Sequence, residues 1–255
     1  MALPKTAIIT GGASGMGLAV AESLSSKGWE VHIFDLNASA GAEATRKHPK
    51  LQFTAVDVNS WGSLSSAFEN VFKSRGRLDF VFANAGIIQL DNFYHRAESL
   101  PPPEPNQLSI DINLKAAINT CYLARQYFLA NTRPHQDAVL VMTASIASFY
   151  AQEFNPLYSA SKAGLLSFMR SIARPFRRDG IRTYAICPGT VRTNLLSTKA
   201  WDKFPEEYLT PVETIVSTVE TLIEGGNIKD GKGREVQKSE AYGLAVEIFG
   251  KTFYL

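Results

Sequence analysis

Short apolar runs alternate along the chain with longer stretches of mixed polarity. The apolar runs fall at Thr6–Thr10, Glu30–Phe34, Gln52–Val56, Asp79–Ala83, Ala138–Thr143, Arg182–Ile186 and Arg234–Gln237. Most are nearly continuous in Val, Ile, Phe and Leu. Such runs suit strands covered on both faces, as in a parallel sheet. Between them lie helix-length stretches at Gly15–Lys27, Ser39–His48, Ser60–Arg75, Gln107–Asn131, Pro156–Arg178 and Pro211–Glu224. The alternation predicts βαβ units wound into an open α/β sheet. No internal repeat interrupts it, and a single domain over 1–255 is the simplest account. Two segments break the rhythm. The stretch at about 189–210 is too long for a routine connection and is expected to form a lid. The apolar tail at about 239–255, with Phe249, Phe253, Tyr254 and Leu255, is expected to dock on the body or on a partner subunit.

Composition narrows the partners. The 255 residues are 45% hydrophobic and 20% charged, with a formal net charge of +2. No long run of like charge marks a nucleic-acid surface. Cys121 and Cys187 lie far apart and form no CxxC pair, so two buried thiols in a reducing compartment are expected. His32, His48, His95 and His135 show no metal-ligand spacing, and no metal is expected. No apolar run reaches the roughly 18 residues of a membrane span. The start, MALPKTAIIT, lacks the pattern of a signal peptide. A soluble, cytoplasmic protein without a nucleic-acid or membrane partner is the expectation.

The first chemical signal follows the first strand. Thr10-Gly11-Gly12-Ala13-Ser14-Gly15-Met16-Gly17 stands between a strand and a helix. Glycines there let backbone approach a pyrophosphate, and the helix N-terminus adds amide donors and a positive dipole end. Gly11, Ser14, Gly15, Met16 and Gly17 are the candidate contacts. Asp35 stands 18 residues after Gly17, at the end of the second strand. An acid there accepts hydrogen bonds from adenosine ribose hydroxyls and repels a 2′-phosphate. Neither Ser14 nor Leu36 is replaced by a basic residue. NAD is therefore expected over NADP. Asp57-Val58 and Asn84-Ala85-Gly86 also fall at C-terminal strand ends, where open α/β sheets bind ligands.

The second signal is Tyr158-Ser159-Ala160-Ser161-Lys162, with Ser145 13 residues before the tyrosine. Tyr158 and Lys162 are four apart and share a helix face. A cation beside a phenol favours phenolate, which makes Tyr158 a candidate general base. Ser145 ends the fifth strand, placed to hydrogen-bond a substrate oxygen.

These motifs, with Asn113 in DINLKAA and PGTVRT at 188–193, resemble the short-chain dehydrogenase/reductase family in its compact form. The resemblance runs from Thr6 to about Gln237. It implies a Rossmann-type doubly wound parallel sheet of about seven strands with helices on both faces. It implies hydride transfer between NAD(H) and a secondary alcohol or ketone. Tyr158 would be the acid/base, and Lys162 would hold the nicotinamide ribose and lower the phenol pKa. Ser145 would orient the reacting oxygen. Asn113 would hold a water that relays protons through Lys162. Pro188, Gly189, Val191 and Thr193 would receive the carboxamide. A homodimer or homotetramer is implied as well. Two departures stand out: Ala83 precedes NAG where an Asn is common, and VQKSEAYG replaces a Gly-rich segment after the last strand. That tail and the segment Phe204–Leu209 are loosely similar to the 15-hydroxyprostaglandin-dehydrogenase-like branch.

The substrate side is read from residue type alone. Ile88, Leu90, Phe149, Phe154, Leu195, Leu196, Trp201, Phe204 and Tyr208 are apolar or aromatic, which suggests a fairly hydrophobic small molecule. Asn155 would either meet a polar substrate group or cap the helix that begins near Pro156. Two other readings compete: an NADPH-dependent biosynthetic ketoreductase, and a non-catalytic dinucleotide-binding scaffold.

Overall fold

The computed structural model describes residues 4–89, 91–131, 137–194, 201 and 204–255. Its centre is an eight-stranded sheet in the order β10-β9-β6-β5-β4-β1-β2-β3. The strands are β1 (Thr6–Thr10), β2 (Glu30–Asp35), β3 (Leu51–Ala55), β4 (Phe80–Ala83), β5 (Ala138–Thr143), β6 (Ile181–Pro188), β9 (Leu244–Phe249) and β10 (Thr252–Tyr254). Every neighbouring pair is parallel except β9 with β10. A separate ribbon pairs β7 (Ile228–Lys229) with β8 (Glu235–Val236). The chain leaves β1 toward β2 and β3, then returns to place β4 on the other side of β1. Strand order therefore reverses at β1 and β4, and the crevice of a Rossmann-type fold opens at their C-terminal ends.

Helices cover both faces. They are α1 (Gly15–Ser26), α2 (Ala38–Lys47), α3 (Trp61–Arg75), α4 (Leu108–Ile110), α5 (Ala117–Leu129), α6 (Pro156–Arg178) and α7 (Val212–Glu224). Successive strand residues feed opposite layers, as the two-residue period demands. Ile8, Val81 and Leu140 pack with Leu64, Phe68 and Met169 on one face. Ile9, Phe80, Phe82 and Val141 pack with Val20, Leu24 and Val219 on the other. Both faces are apolar, so the continuous runs read from the sequence are what the sheet needs.

Three expectations shift in detail. The strand expected at Arg234–Gln237 contributes only β8, outside the main sheet. The seventh parallel strand is β9, in register with β6 from Tyr184↔Leu244 to Pro188↔Ile248. Glu247 interrupts its apolar run, which an edge-proximal, half-buried strand tolerates. The tail thus docks on the body as sheet, with β10 as the antiparallel edge. The helix expected over Gln107–Asn131 is also not uniform: a π-helical segment, Asp111–Ala116, separates α4 from α5.

At the end of the sheet away from the crevice, a buried guanidinium ties β6 to α7. Arg182 of β6 binds Asp137 through Nε at 2.7 Å and Nη2 at 2.9 Å. It also donates to the Ile223 carbonyl at 2.8 Å, to the Leu222 carbonyl, and to the Tyr184 hydroxyl at 3.1 Å. The two carbonyls belong to the last turn of α7, where orphan acceptors need donors. Arg182→Met is expected to leave them unpaired and cost about 3 kcal/mol. That lowers the thermal midpoint by roughly 10 °C for a chain of this size, measurable by calorimetry. An unchanged midpoint would remove the guanidinium from the structural account.

Candidate active site

The glycine loop is built by close backbone approach. Gly11 and Gly15 take φ of +64° and +54°, left-handed values that glycine adopts without a steric cost. A Cβ on Gly17 would lie 2.2 Å from the Gly11 carbonyl oxygen, so α1 can pack on the loop only without one. Ser14 stands at the N-cap of α1 but makes no capping bond with its side chain, and the first turn carries no acid. The amides and dipole at this helix end are therefore left to face the crevice.

A cavity of about 390 Å³ lies at the switch point. Gly11, Ser14, Gly15 and Met16 form one wall, and Asp35 with Leu36 the end wall. Asp57, Val58, Asn84, Ala85 and Gly86 line the opposite side, and Thr193 and Asn194 close over it. Gly17 does not line it; its part is the packing just described. Asp35 accepts the Ala13 amide at 3.1 Å and the Asn37 amide at 3.0 Å, one on each carboxylate oxygen. It joins the glycine loop to the end of β2, while Leu36 projects outward, 73% exposed. The glycine cradle, the uncapped helix end and the acid at the ribose position fit a dinucleotide.

Asn84 sews three strand ends together. Its Nδ2 donates to the carbonyls of Thr10 at 3.3 Å and Gly11 at 3.2 Å. Its Oδ1 accepts the Thr143 hydroxyl at 3.0 Å. The Thr10 hydroxyl oxygen accepts the amides of Asn84 and Ala85 at 3.0 and 3.1 Å. Thr10 and Thr143 escaped the sequence reading. The available signal was a hydroxyl at the last position of two neighbouring strands.

The catalytic candidates meet at the top of β5 and the start of α6. Asn155 caps α6 by accepting the Tyr158 amide at 3.3 Å. Its Nδ2 is taken by the Gln89 carbonyl at 2.6 Å. Of the two readings for Asn155, the cap is the one realised, and its amide is spent on protein partners. Tyr158 and Lys162 share a face, with Lys162 Nζ 5.7 Å from the Tyr158 ring centre. Lys162 is 3% exposed, and its ammonium donates to the Thr143 carbonyl at 2.7 Å. Burial pulls its pKa down to about 8. The Ser145 hydroxyl acts on the Tyr158 phenol as a neighbour that lowers its pKa. Ser145 Oγ also accepts the Ala147 amide at 3.1 Å. The phenol itself is pushed above its ordinary value by burial, which outweighs the lowering by Ser145. The expected net lowering by Lys162 is thus not what the fold alone produces. Desolvation of the ring prevails, and the ammonium is engaged by a carbonyl.

Asn113 lies fully buried in the π segment. Its Oδ1 accepts the Ile87 amide at 2.8 Å, and its Nδ2 donates to the Ile87 carbonyl at 2.9 Å and to Ser161 Oγ at 3.2 Å. The side chain is a bracket between the strand β4 exit and α6. Gly86 makes room for this corner: a Cβ there would stand 3.1 Å from Asn113 Oδ1 and 3.4 Å from Lys162 Nζ.

The segment after β6 folds back over the glycine loop. Pro188 ends the strand, and the Gly189 amide donates to the Ile248 carbonyl at 2.8 Å. Val191 is buried, and the Thr193 side chain sits 3.1 Å from where a Gly15 Cβ would be. A bridge between Thr190 and Leu209 closes the base of the excursion. Trp201 is buried, donates Nε1–H to the Thr193 carbonyl at 2.7 Å and packs on Phe204 at 5.5 Å. Leu90, Leu195 and Leu196 lie outside the described residues. Ile88 lines the cavity, whereas Phe149 is exposed and packs on Tyr150 instead. Phe154, Phe204 and Tyr208 are exposed too. Among the described residues no cluster of His, Cys, Asp or Glu could hold a metal ion, and no helix is long and apolar enough to cross a membrane. Both cysteines are free and buried, and burial pushes the Cys187 thiol up to about 12.

Comparison with known proteins agrees with this fold. A model of the short chain dehydrogenase family matches residues 5–203. Short-chain dehydrogenase/reductase prx7 of Penicillium rubens is 44% identical over 94% of this chain and 89% of its own length. Human 15-hydroxyprostaglandin dehydrogenase [NAD(+)] is 31% identical over 75% of this chain and 70% of its own. The crystal structure of 3-ketoacyl-(acyl-carrier-protein) reductase from Brucella melitensis, complexed with NADH, superposes with a TM-score of 0.79. At 22% identity, over 96% of this chain and 97% of that one, it shares the fold. Relatives with similar identity to this chain divide between NAD and NADP. A strand order, a glycine cradle and a Ser145–Tyr158–Lys162 corner that agree with a match over most of the chain lead to one conclusion: this protein belongs to the short-chain dehydrogenase/reductase family of oxidoreductases.

Proposed function

We propose that the protein transfers a hydride between NAD(H) and a secondary alcohol or ketone on a fairly hydrophobic small molecule. The observation that carries this reading is the corner of Ser145, Tyr158 and the buried Lys162, which stands beside a cavity walled by the glycine loop and ended by Asp35. When bound, the nicotinamide supplies or accepts the hydride. Tyr158 gives or takes the proton on the substrate oxygen, and Ser145 orients that oxygen by a hydrogen bond. Lys162 holds the nicotinamide ribose and keeps a positive charge next to the phenol. Asn113 fixes the corner by bracketing Ile87 and Ser161. Gly11, Ser14, Gly15 and Met16 take the pyrophosphate, and Asp35 takes the adenosine ribose hydroxyls. Asp57, Val58, Asn84, Ala85 and Gly86 form the adenine-to-ribose wall. Pro188, Gly189, Val191 and Thr193 receive the carboxamide, and Trp201 holds the segment above it. The sheet runs unbroken from β3 to β10, which supports one domain over 1–255. Exposed Trp61 and Tyr122, with rings 6.1 Å apart, support a homo-oligomer. Two buried free thiols suit a cytoplasmic location.

NAD is preferred over NADP because the Asp35 carboxylate would face a 2′-phosphate with like charge. Titration of the purified protein with NADH and NADPH, read by nicotinamide fluorescence, is the direct test. Tighter binding of NADPH would overturn the preference. Asp35→Ala is expected to narrow the gap at least about tenfold. Tyr158→Phe is expected to keep NADH binding while cutting turnover of a secondary alcohol about 10³-fold. Unchanged turnover would sink the mechanism. The pH dependence has a definite sign. Alcohol oxidation needs the phenolate, so its rate rises with pH toward the phenol pKa. Ser145 lowers that pKa. Ser145→Ala therefore shifts the rising limb of kcat/KM to higher pH, as well as slowing the reaction. A limb that moved to lower pH would contradict the part assigned to Ser145.

A further inference from the structure

The segment that leaves β4 passes between the two helical elements that carry the catalytic candidates, and one side chain in it joins both. Gln89 is buried, an unusual place for a glutamine. Its Oε1 accepts the backbone amide of Ser109, in the α4 turn that leads into the π segment. Its Nε2 donates to Asp91 Oδ2 at 3.1 Å and to the Asn106 carbonyl at 3.3 Å. Its own carbonyl accepts Asn155 Nδ2 at 2.6 Å, and Asn155 Oδ1 in turn holds the Tyr158 amide. Asn106 completes the group by donating to Asp91 at 2.8 Å and capping the Leu108 amide at 3.1 Å. The excursion at 92–105 begins and ends at this clasp.

The geometry points to Gln89 as a positioning residue for the proposed reaction. Its side chain grips the element that leads to Asn113, and its main chain grips the cap of the helix that carries Tyr158 and Lys162. An aliphatic side chain of similar size would leave the Ser109 amide and the Asn106 carbonyl without partners, and this main chain would lose its anchor. Tyr158 reaches Ser145 from the first turn of α6, so a displaced cap moves the phenol relative to the substrate oxygen. Misplacement on the scale of an ångström is enough to slow such a step steeply. The cofactor cavity does not include Gln89, so its loss acts on the catalytic corner and not on the dinucleotide.

The catalytic part of this inference rests on the dehydrogenase reading; the structural part does not. The full chain is compared with Gln89→Leu and with Asp91→Ala, whose side chain is at the surface and whose loss spares the fold. Hydrogen exchange by mass spectrometry reads the amides of Ser109 and Tyr158 without any substrate. Steady-state kinetics with a secondary alcohol and NAD reads kcat per folded molecule. The expected result is faster exchange at both amides and a kcat lower on the order of tenfold or more in Gln89→Leu. The NADH dissociation constant should stay unchanged, and Asp91→Ala should move in the same direction to a smaller extent. Mere destabilisation would lower the thermal midpoint and leave kcat per folded molecule as it was, and that outcome overturns the positioning role. Wild-type exchange at both amides in both variants overturns it as well. If the wild-type protein turns over no alcohol or ketone while binding NADH, the dehydrogenase reading fails, and the exchange data still decide the clasp.

Discussion

A buried ammonium is costly unless something accepts its protons, and much of this site is arranged around that constraint. Lys162 satisfies it through the Thr143 carbonyl. Thr143 then passes the connection on: its hydroxyl binds Asn84, and Asn84 binds the carbonyls of Thr10 and Gly11. A short chain of hydrogen bonds thus runs from Lys162 to the glycine loop. The spacing between the Tyr158–Lys162 corner and the crevice is fixed by the strand ends themselves. Gly86 belongs to the same arrangement, because any side chain there would press on both Asn113 and Lys162.

The opposing shifts of Tyr158 and Lys162 follow from the same burial. Desolvation favours the neutral form of each, so the phenol moves up and the ammonium moves down. A pair disposed in this way holds a proton on the phenol and has a lysine that is only loosely committed to its own. Ser145 is the neighbour that opposes the shift on the phenol. In the proposed reaction the positive charge of an oxidised nicotinamide held beside the corner would favour phenolate.

The two ends of the sheet divide the labour. At the C-terminal ends the strands stop short, amides and carboxylates are left facing a cavity, and the connections carry the chemistry. At the other end Arg182 spends its donors on Asp137 and on the carbonyls that finish α7. Stability and function are thereby separated by about the length of a strand.

Much of this was legible in the residue order. Continuous apolar runs mean strands buried on both faces, and they located six of the parallel strands and every long helix. The glycine loop, Asp35, Asn84 and the Tyr158–Lys162 spacing are local signals, because each depends on a turn, a strand end or one helix face. What escaped was non-local. β9 carries Glu247 because half of it is near an edge, and no pattern along the chain says which edge that is. Residue order leaves Asn155 between a substrate contact and a helix cap, and places Asn113 in a helix without naming its partners. Only the packing of α6 against the β4 exit commits their amides to Ile87, Ser161 and Gln89. The phenol's upward shift is likewise a matter of how much water the folded chain removes, a quantity set by neighbours distant in sequence. Local chemistry announces which groups are present, and the partners that three-dimensional packing assigns determine what each group is free to do.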